Sequence, residues 1–293
     1  MKSWKDKIAP YVFLTPWLLG FVLLTLLPMA MSLYFSFTNY NLLSPPKFIG
    51  LANYTKMFTT DLHFLNAVKV TFVYVLISVP LQLIASLVLA IILNKGVSGL
   101  SFFRACFYVP SLLGGSVAIS ILWRQIFGME GLLNQALQAL GINSTISWVA
   151  NPHTAVWTLI ILRVWQFGSP MIIFLAAIKQ IPSEMLEAAS IDGADRMQRI
   201  FKIVLPMISP IILFNLIMQI ISAFKVFTES YIISGGNGGV LDSLLFYTLH
   251  IFNEGFGKMR MGYASALAWF LVFLMCVVTG LIFVMSKKFV HYE

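Results

Sequence analysis

Six stretches of the chain are almost continuously apolar, from about 11 to 33, 68 to 93, 105 to 127, 153 to 178, 207 to 227 and 263 to 285. Each reaches the roughly 20 residues that carry a helix across the hydrocarbon of a bilayer. The stretches between them are polar and rich in turn formers. Residues 39 to 63 hold Pro45, Pro46, Gly50, Asn53, Lys56 and Asp61 and read as an exposed connection with a short helix around Ala52 to Phe58. Lys95, Gly96, Ser98, Gly99 and Arg104 make a tight turn, and residues 128 to 152 form a longer link with Glu130, Asn134, Gln138 and Asn143. An even number of spans puts both termini on one side. The pattern predicts an all-α, polytopic membrane protein of six transmembrane helices, a single domain over residues 1 to 293.

Composition strengthens this picture. Hydrophobic residues make up 59% of the chain and charged residues 10%, against about 25% charged in a globular protein. The net charge of +8 does not indicate nucleic acid, because the basic residues are scattered among the spans and no recognition motif accompanies them. They orient the chain instead. Lys2, Lys5, Lys7, Lys95, Arg104, Lys179, Arg196, Arg199, Lys202, Lys287 and Lys288 lie on the side of the termini, and Lys47, Lys56, Lys69, Arg124, Lys258 and Arg260 on the other. Eleven against six assigns both termini to the cytoplasm. The first apolar run exceeds the about 7 to 15 residues of a signal-peptide core, so a retained helix is expected, although Ala30-Met31-Ser32 leaves a cleavage reading open. Cys106 and Cys276 sit in apolar runs with no metal-ligand spacing and behave as small hydrophobes.

Residues 181 to 210, IPSEMLEAASIDGADRMQRIFKIVLPMISP, form the longest polar interruption in the second half of the chain. Pro182 and Ser183 read as a helix start, with Ser183 as the cap and Glu184 on the positive end of the dipole. Asp192-Gly193 breaks that helix. A second helical stretch carries Met197, Ile200, Phe201 and Val204 on one face, and Leu205-Pro206 ends it and starts the next span. Two short helices at an angle offer Ala188 and Ala189 to a closely approaching surface, with Arg196, Arg199 and Lys202 available to acidic partner residues. Taken one residue at a time, an ordinary loop packed under the bundle would account for most of these side chains.

The assembled spacing says more. Glu187, Ala188 and Ala189 are followed by three residues, Gly193, nine residues, and then Ile203, Leu205 and Pro206. This arrangement resembles the E-A-A-x3-G-x9-I-x-L-P loop of the membrane subunits of binding-protein-dependent ABC importers. The stretches YVFLTPWLLGFVLLTLLPMAMSLYFSFTNY, FIGLANYTKMF, RACFYVPSLLGGSVAISILWRQIFGMEGLLN and GYASALAWFLVFLMCVVTGLIFVMSKKFVHYE are similar to the permeases that import oligosaccharides. They look like the subunit type of the larger maltose permease, without its large inserted domain. The resemblance implies the type I ABC importer permease fold in a bacterial cytoplasmic membrane. It also implies a second homologous permease subunit, two ATPase subunits and an extracytoplasmic sugar-binding protein as partners. Glu187, Ala188, Ala189, Asp192 and Gly193 would form the coupling helix that enters a cleft on the ATPase, with Leu205 and Pro206 at its exit. ATP and Mg would be bound by the partner ATPase and no cofactor by this chain. Consistent with a non-enzymatic subunit, Gly255-Phe256-Gly257-Lys258 lacks the first glycine of a phosphate loop, and His63, His153, His250 and His291 show no metalloprotease spacing.

Charge inside a membrane is costly, which makes Arg163 and Lys225 candidates for the substrate path. Arg163 lies about ten residues, roughly 15 Å, into its span, and Lys225 lies roughly 28 Å above Pro206, where snorkelling to the interface is the plain alternative. For Arg163 the plain alternative is an ion pair or a carbonyl contact with the second permease. The segment ISAFKVFTESYIISGGNGG resembles the fifth-span stretch through which sugar permeases of this family contact their ligand, which adds Phe224, Thr228 and Tyr231 to the path. Phe227, Tyr263 and Trp269 are further aromatics that can stack on sugar rings, although such residues are more often interface or packing residues. Two cations along a sugar path suit an acidic, uronate-type oligosaccharide. Another small solute such as a glycerol phosphodiester, or a non-ABC transporter, is the alternative.

Overall fold

The computed structural model of the protein describes residues 4–94 and 99–287. Lys2, Lys95, Gly96, Ser98, Lys288 and His291 lie outside the described residues. The apolar runs fold as helices. In order they are α1 (Trp4–Phe21), α2 (Leu27–Ser36), α3 (Ala52–Thr59), α4 (Leu62–Leu93), α5 (Leu100–Leu113), α6 (Val117–Ile126), α7 (Leu132–Ala139), α8 (Ala155–Trp165), α9 (Gly168–Lys179), α10 (Ser183–Ile191), α11 (Arg196–Arg199), α12 (Leu205–Met207), α13 (Ser209–Phe224), α14 (Thr228–Ser234), α15 (Tyr247–Phe252) and α16 (Met261–Ser286). Among the described residues, five helical stretches are long and apolar enough to cross a membrane, and a bent pair makes a sixth.

Two π turns share one cause. Val22–Leu26 precedes Leu27-Pro28, and Ile200–Val204 precedes Leu205-Pro206. Proline has no N–H for the helical bond and its ring crowds the carbonyl four residues back. Widening the preceding turn, so that Leu27 and Leu205 bond to Val22 and Ile200 five residues earlier, lets the helix run through. The expectation that Leu205-Pro206 ends the loop's second helix is therefore corrected. The helical path continues through Pro206 and breaks at Ile208, whose φ of −90° and ψ of 6° leave the helical region.

The chain divides into two compact units, residues 1–61 with 251–272, and residues 62–250 with 273–293. In the first, Asn53 donates from Nδ2 to the carbonyls of Ser36 (2.9 Å) and Thr38 (2.8 Å), which closes the C-terminal end of α2. Gly262 lies against the same turn, where an added Cβ would sit 2.2 Å from the Thr38 carbonyl oxygen. The connection read as exposed is thus partly core: Asn53 and Met57 are buried.

In the second unit α4 is the central post, 32 residues long and therefore about 48 Å, with α8, α9 and α13 packed along it. The third apolar run, expected as one straight span over 105 to 127, is instead α5 and α6 meeting at 95°. Gly114 and Gly115 permit the corner, and Ser116 starts α6 by accepting the Ile119 N–H at 3.3 Å. The following link, read as a polar connection, contains α7 and is organised on Asn134, which is buried. It donates to the carbonyls of Met129 and Ile146 at 2.8 Å each and accepts from Trp148 Nε1 at 2.8 Å.

Candidate functional site

The loop between α9 and α13 is built from local rules. α10 begins after Pro182, which occupies the cap position without a side-chain bond. Ser183 is already the first helical residue, so the expected Ser183 cap is corrected. Proline's fixed φ, here −57°, sets the entry angle in its place. At the other end Gly193 takes φ +80°, its N–H bonds to the Ser190 carbonyl (3.2 Å) and the Ala194 N–H to the Ala189 carbonyl (2.9 Å). This is the Schellman closure, which needs a residue free of the Cβ penalty at that position. α11 then starts on a reciprocal capping box: Asp195 Oδ1 accepts from the Gln198 N–H at 2.7 Å and Gln198 Oε1 accepts from the Asp195 N–H at 3.0 Å. Arg199 Nη1 donates to Ser190 Oγ at 2.5 Å and locks the two short helices together.

The result is a knuckle with one face offered outward. Glu187, Ala188, Asp192 and Gly193 are exposed and Ala189 is half-buried. No atom lies within 4 Å of where a Cβ on Gly193 would project. The other face turns toward α4: Met197, Ile200 and Phe201 line an open apolar groove with Ile84, Val88 and Ile91 of α4, Met197 and Phe201 stay exposed, and Val204 below them is buried. Leu205 and Pro206 are half-buried at the exit. The sequence reading missed the capping box, although the Asp195-x-x-Gln198 spacing announced it.

Arg163 is buried near the end of α8, and every nitrogen of its guanidinium is engaged within the chain. Nε donates to Gln82 Oε1 of α4 (3.0 Å), Nη1 to Ser222 Oγ of α13 (3.2 Å), and Nη2 to the carbonyl (3.1 Å) and Oε1 (2.7 Å) of Gln219. The break between α8 and α9 lies beside it. The carbonyl of Gln166 accepts from Gln82 Nε2 (2.8 Å) and Ser111 Oγ (3.0 Å), and that of Phe167 from Ser86 Oγ (2.9 Å). Gly168 lets α5 close on this break, since an added Cβ there would lie 2.5 Å from the Phe107 carbonyl oxygen. The carbonyl contact considered for Arg163 thus comes from Gln219 of its own chain. Gln82, Gln219 and Ser222 were not singled out from sequence, although amides inside apolar runs are the available signal.

The other path candidates separate. Lys225 is exposed at the C-terminal end of α13, and Thr228, half-buried, opens α14. Tyr231 is partly exposed, with its ring 5.5 Å from Phe227. Phe224 is buried, packs its ring edge-on at 5.3 Å to Phe72, and with it borders an apolar cavity between α4, α13 and α16. Tyr263 is also buried, donating to Asp61 Oδ2 at 2.5 Å with the Lys56 ammonium 4.1 Å over its ring. Burial pushes the Lys56 amine down from its usual range, and the nearby Arg260 charge adds to that. Trp269 is half-buried.

The sequence profile of the family described as "binding-protein-dependent transport system inner membrane component" matches residues 62–291. The chain is 52% identical over 289 residues to the probable ABC transporter permease protein YesP of Bacillus subtilis (strain 168), covering 99% of this chain and 94% of that one. It is 34% identical to the arabinooligosaccharides transport system permease protein AraP of the same strain, covering 98% and 93%. Among solved structures, one chain of a bacterial alginate ABC transporter in complex with alginate pentasaccharide-bound periplasmic protein shares the fold. Its TM-score is 0.83 at 22% identity, with 97% of each chain covered.

Proposed function

Because the chain belongs to the family of binding-protein-dependent transport system inner membrane components, a multi-pass protein of the cytoplasmic membrane, we propose that it is one of two permease subunits of an ATP-driven oligosaccharide importer. An extracytoplasmic binding protein delivers the sugar, and two ATPase subunits supply the work. The observation that carries this reading is the outward knuckle of α10 and Gly193, small-residued on the outside, closed by its own caps and facing α4 across an apolar groove. An exposed element of that kind, continuous with α9 on one side and α13 on the other, passes movement of a docked partner into the bundle. The loop and both termini face the cytoplasm, where the basic residues are concentrated.

An oligosaccharide is favoured over a glycerol phosphodiester by AraP, a relative named for arabinooligosaccharides that matches this chain over nearly its full length. The finer reading is an acidic, uronate-type oligosaccharide, and it now rests on Lys225. Arg163 is engaged by four hydrogen bonds inside the chain and acts as a brace for the α8–α9 break. Lys225 is exposed at the end of α13 and has no polar side-chain partner among the described residues.

The test is purification of the detergent-solubilised complex from its native host. An ATPase subunit should co-purify, and ATP hydrolysis in proteoliposomes should rise when sugar-loaded binding protein is added. A complex without an ATPase, or one whose hydrolysis ignores the loaded binding protein, would refute the importer reading.

A further inference from the structure

The end of the bundle opposite the knuckle holds a cavity unlike the others. α4 defines the two ends: Asn94, just past its C-terminus, lines a cleft with Leu186 and Arg196 of the knuckle, while His63 at its start contacts Asp242, with Nδ1 and Oδ2 2.5 Å apart. The glycine-rich stretch 235–242 is therefore held about one length of α4, some 48 Å, from the knuckle. Here a cavity of about 360 Å³ is walled by Arg124 from the last turn of α6, Ser147, Ser234 at the end of α14, Asn237 and Gly239.

The polar groups in this wall are donors left over after the chain's own bonds are made. Asn237 uses Oδ1 to accept from the Gly239 N–H (2.9 Å), which leaves its amide N–H pair unspent. Ser234 Oγ accepts from the Gly238 N–H (3.3 Å) and keeps its own proton to give. Among the described residues, Arg124 and the Ser147 hydroxyl have no polar side-chain partner, and no acidic residue is among those lining the cavity. By contrast, the cavities against α13 and α16 are walled by apolar side chains apart from Ser209 and Ser286, with no charged or amide group among them. A surplus of donors around one guanidinium fits a ligand that carries an anionic carboxylate and several hydroxyl acceptors.

We propose that this cavity is an outer subsite that takes the carboxylate-bearing sugar unit of the incoming oligosaccharide, with Arg124 on the carboxylate and Asn237, Ser147 and Ser234 on the ring hydroxyls. The proposal rests on the acidic-oligosaccharide reading above. It also supplies the second cation that Arg163 does not provide. α14 runs from just past Lys225 to Ser234 at the cavity, seven residues or about 10 Å, so the two exposed cations bracket one short helix. A saccharide of more than one unit reaches from one to the other.

The experiment uses the complete complex in proteoliposomes with its loaded binding protein. The probes are trimers of galacturonate, glucuronate and mannuronate, each against its neutral hexose counterpart. Arg124→Gln should lower kcat/KM for import of the transported acidic trimer about tenfold or more, the loss expected for one charge-assisted hydrogen bond. It should leave neutral-trimer import unchanged, and Arg124→Lys should restore most of the loss. Asn237→Ala, which leaves α6 untouched, should give a smaller loss in the same direction and serves if the arginine variant does not assemble. Unchanged acidic import in these variants overturns the subsite and leaves the importer reading standing. A native complex that imports none of the acidic trimers overturns the acidic reading and the subsite with it. An anionic phospholipid that co-purifies with the native complex and is lost from Arg124→Gln, with import unchanged, reassigns the cavity to a lipid headgroup and also overturns it.

Discussion

Replacing Arg163 by Met tests whether the guanidinium is a brace or a substrate contact. The substitution keeps an unbranched apolar stem and removes four hydrogen bonds to Gln82, Ser222 and Gln219. At the roughly 0.6 kcal/mol measured on average for interhelical hydrogen bonds in a membrane bundle, the loss is about 2.4 kcal/mol. Charge-assisted bonds at about 1.5 kcal/mol each give a larger sum, but burying an ion with no carboxylate in direct contact among the described residues costs several kcal/mol and offsets much of it. Both routes give a net destabilisation of about 2–3 kcal/mol. For a chain of this size that lowers the melting midpoint by about 5–10 °C, readable by heating the solubilised complex and following its elution by fluorescence. Gln82→Leu in the same background should be strongly non-additive, with a coupling of about 1 kcal/mol or more, because Gln82 receives the Arg163 Nε–H. The ratio of acidic to neutral import should not change. An Arg163→Met complex that melts like the native one but has selectively lost acidic import would refute the brace.

Three further outcomes follow from local geometry. Gly193→Val forces a β-branched residue to φ +80°, at about 1–2 kcal/mol. ATPase co-purification and import should fall by at least about tenfold while elution of the membrane subunits stays normal. Asp195→Ala removes the oxygen that accepts the Gln198 N–H, at about 1 kcal/mol, so amide exchange at Gln198 should quicken about fivefold and Asp195→Asn should restore protection. Gly168→Val would push methyls into the Phe107 carbonyl and Ser111 and should destabilise the complex by about 1–3 kcal/mol, lowering its melting midpoint by about 2–10 °C. Gly280→Ala, with nothing within 4 Å of the added carbon, is the control that should be silent.

The positions legible in the sequence were those governed by neighbours within a few turns. Gly193 announced a left-handed closure, and the E-A-A spacing announced the knuckle around it. Two local features were still misread. Ser183 looked like a cap, yet Pro182 in front of it takes that position, and Leu205-Pro206 looked like a stop, yet a π turn carries the helix past it. In both cases proline's constraint on the chain outweighed a statistical preference.

Length and apolarity alone determined that this chain is a bundle of membrane-crossing helices, because about 20 apolar residues have no other stable state in a bilayer. The loop's fixed spacing determined its relationship to the importer permeases. Only the tertiary structure decided what each polar side chain inside the bundle does. Arg163 finds its acceptors 81, 59 and 56 residues away in sequence, and Phe224, read as a path residue, is turned into the core against Phe72. The residue left facing a donor-lined cavity is Arg124, which from sequence was only one of the six basic residues on the side away from the termini. A one-dimensional pattern gives the depth of a residue along a helix. Which neighbour it faces is set by the rotation and pairing of helices, and these depend on close approaches such as Gly168 on Phe107 that no periodicity encodes.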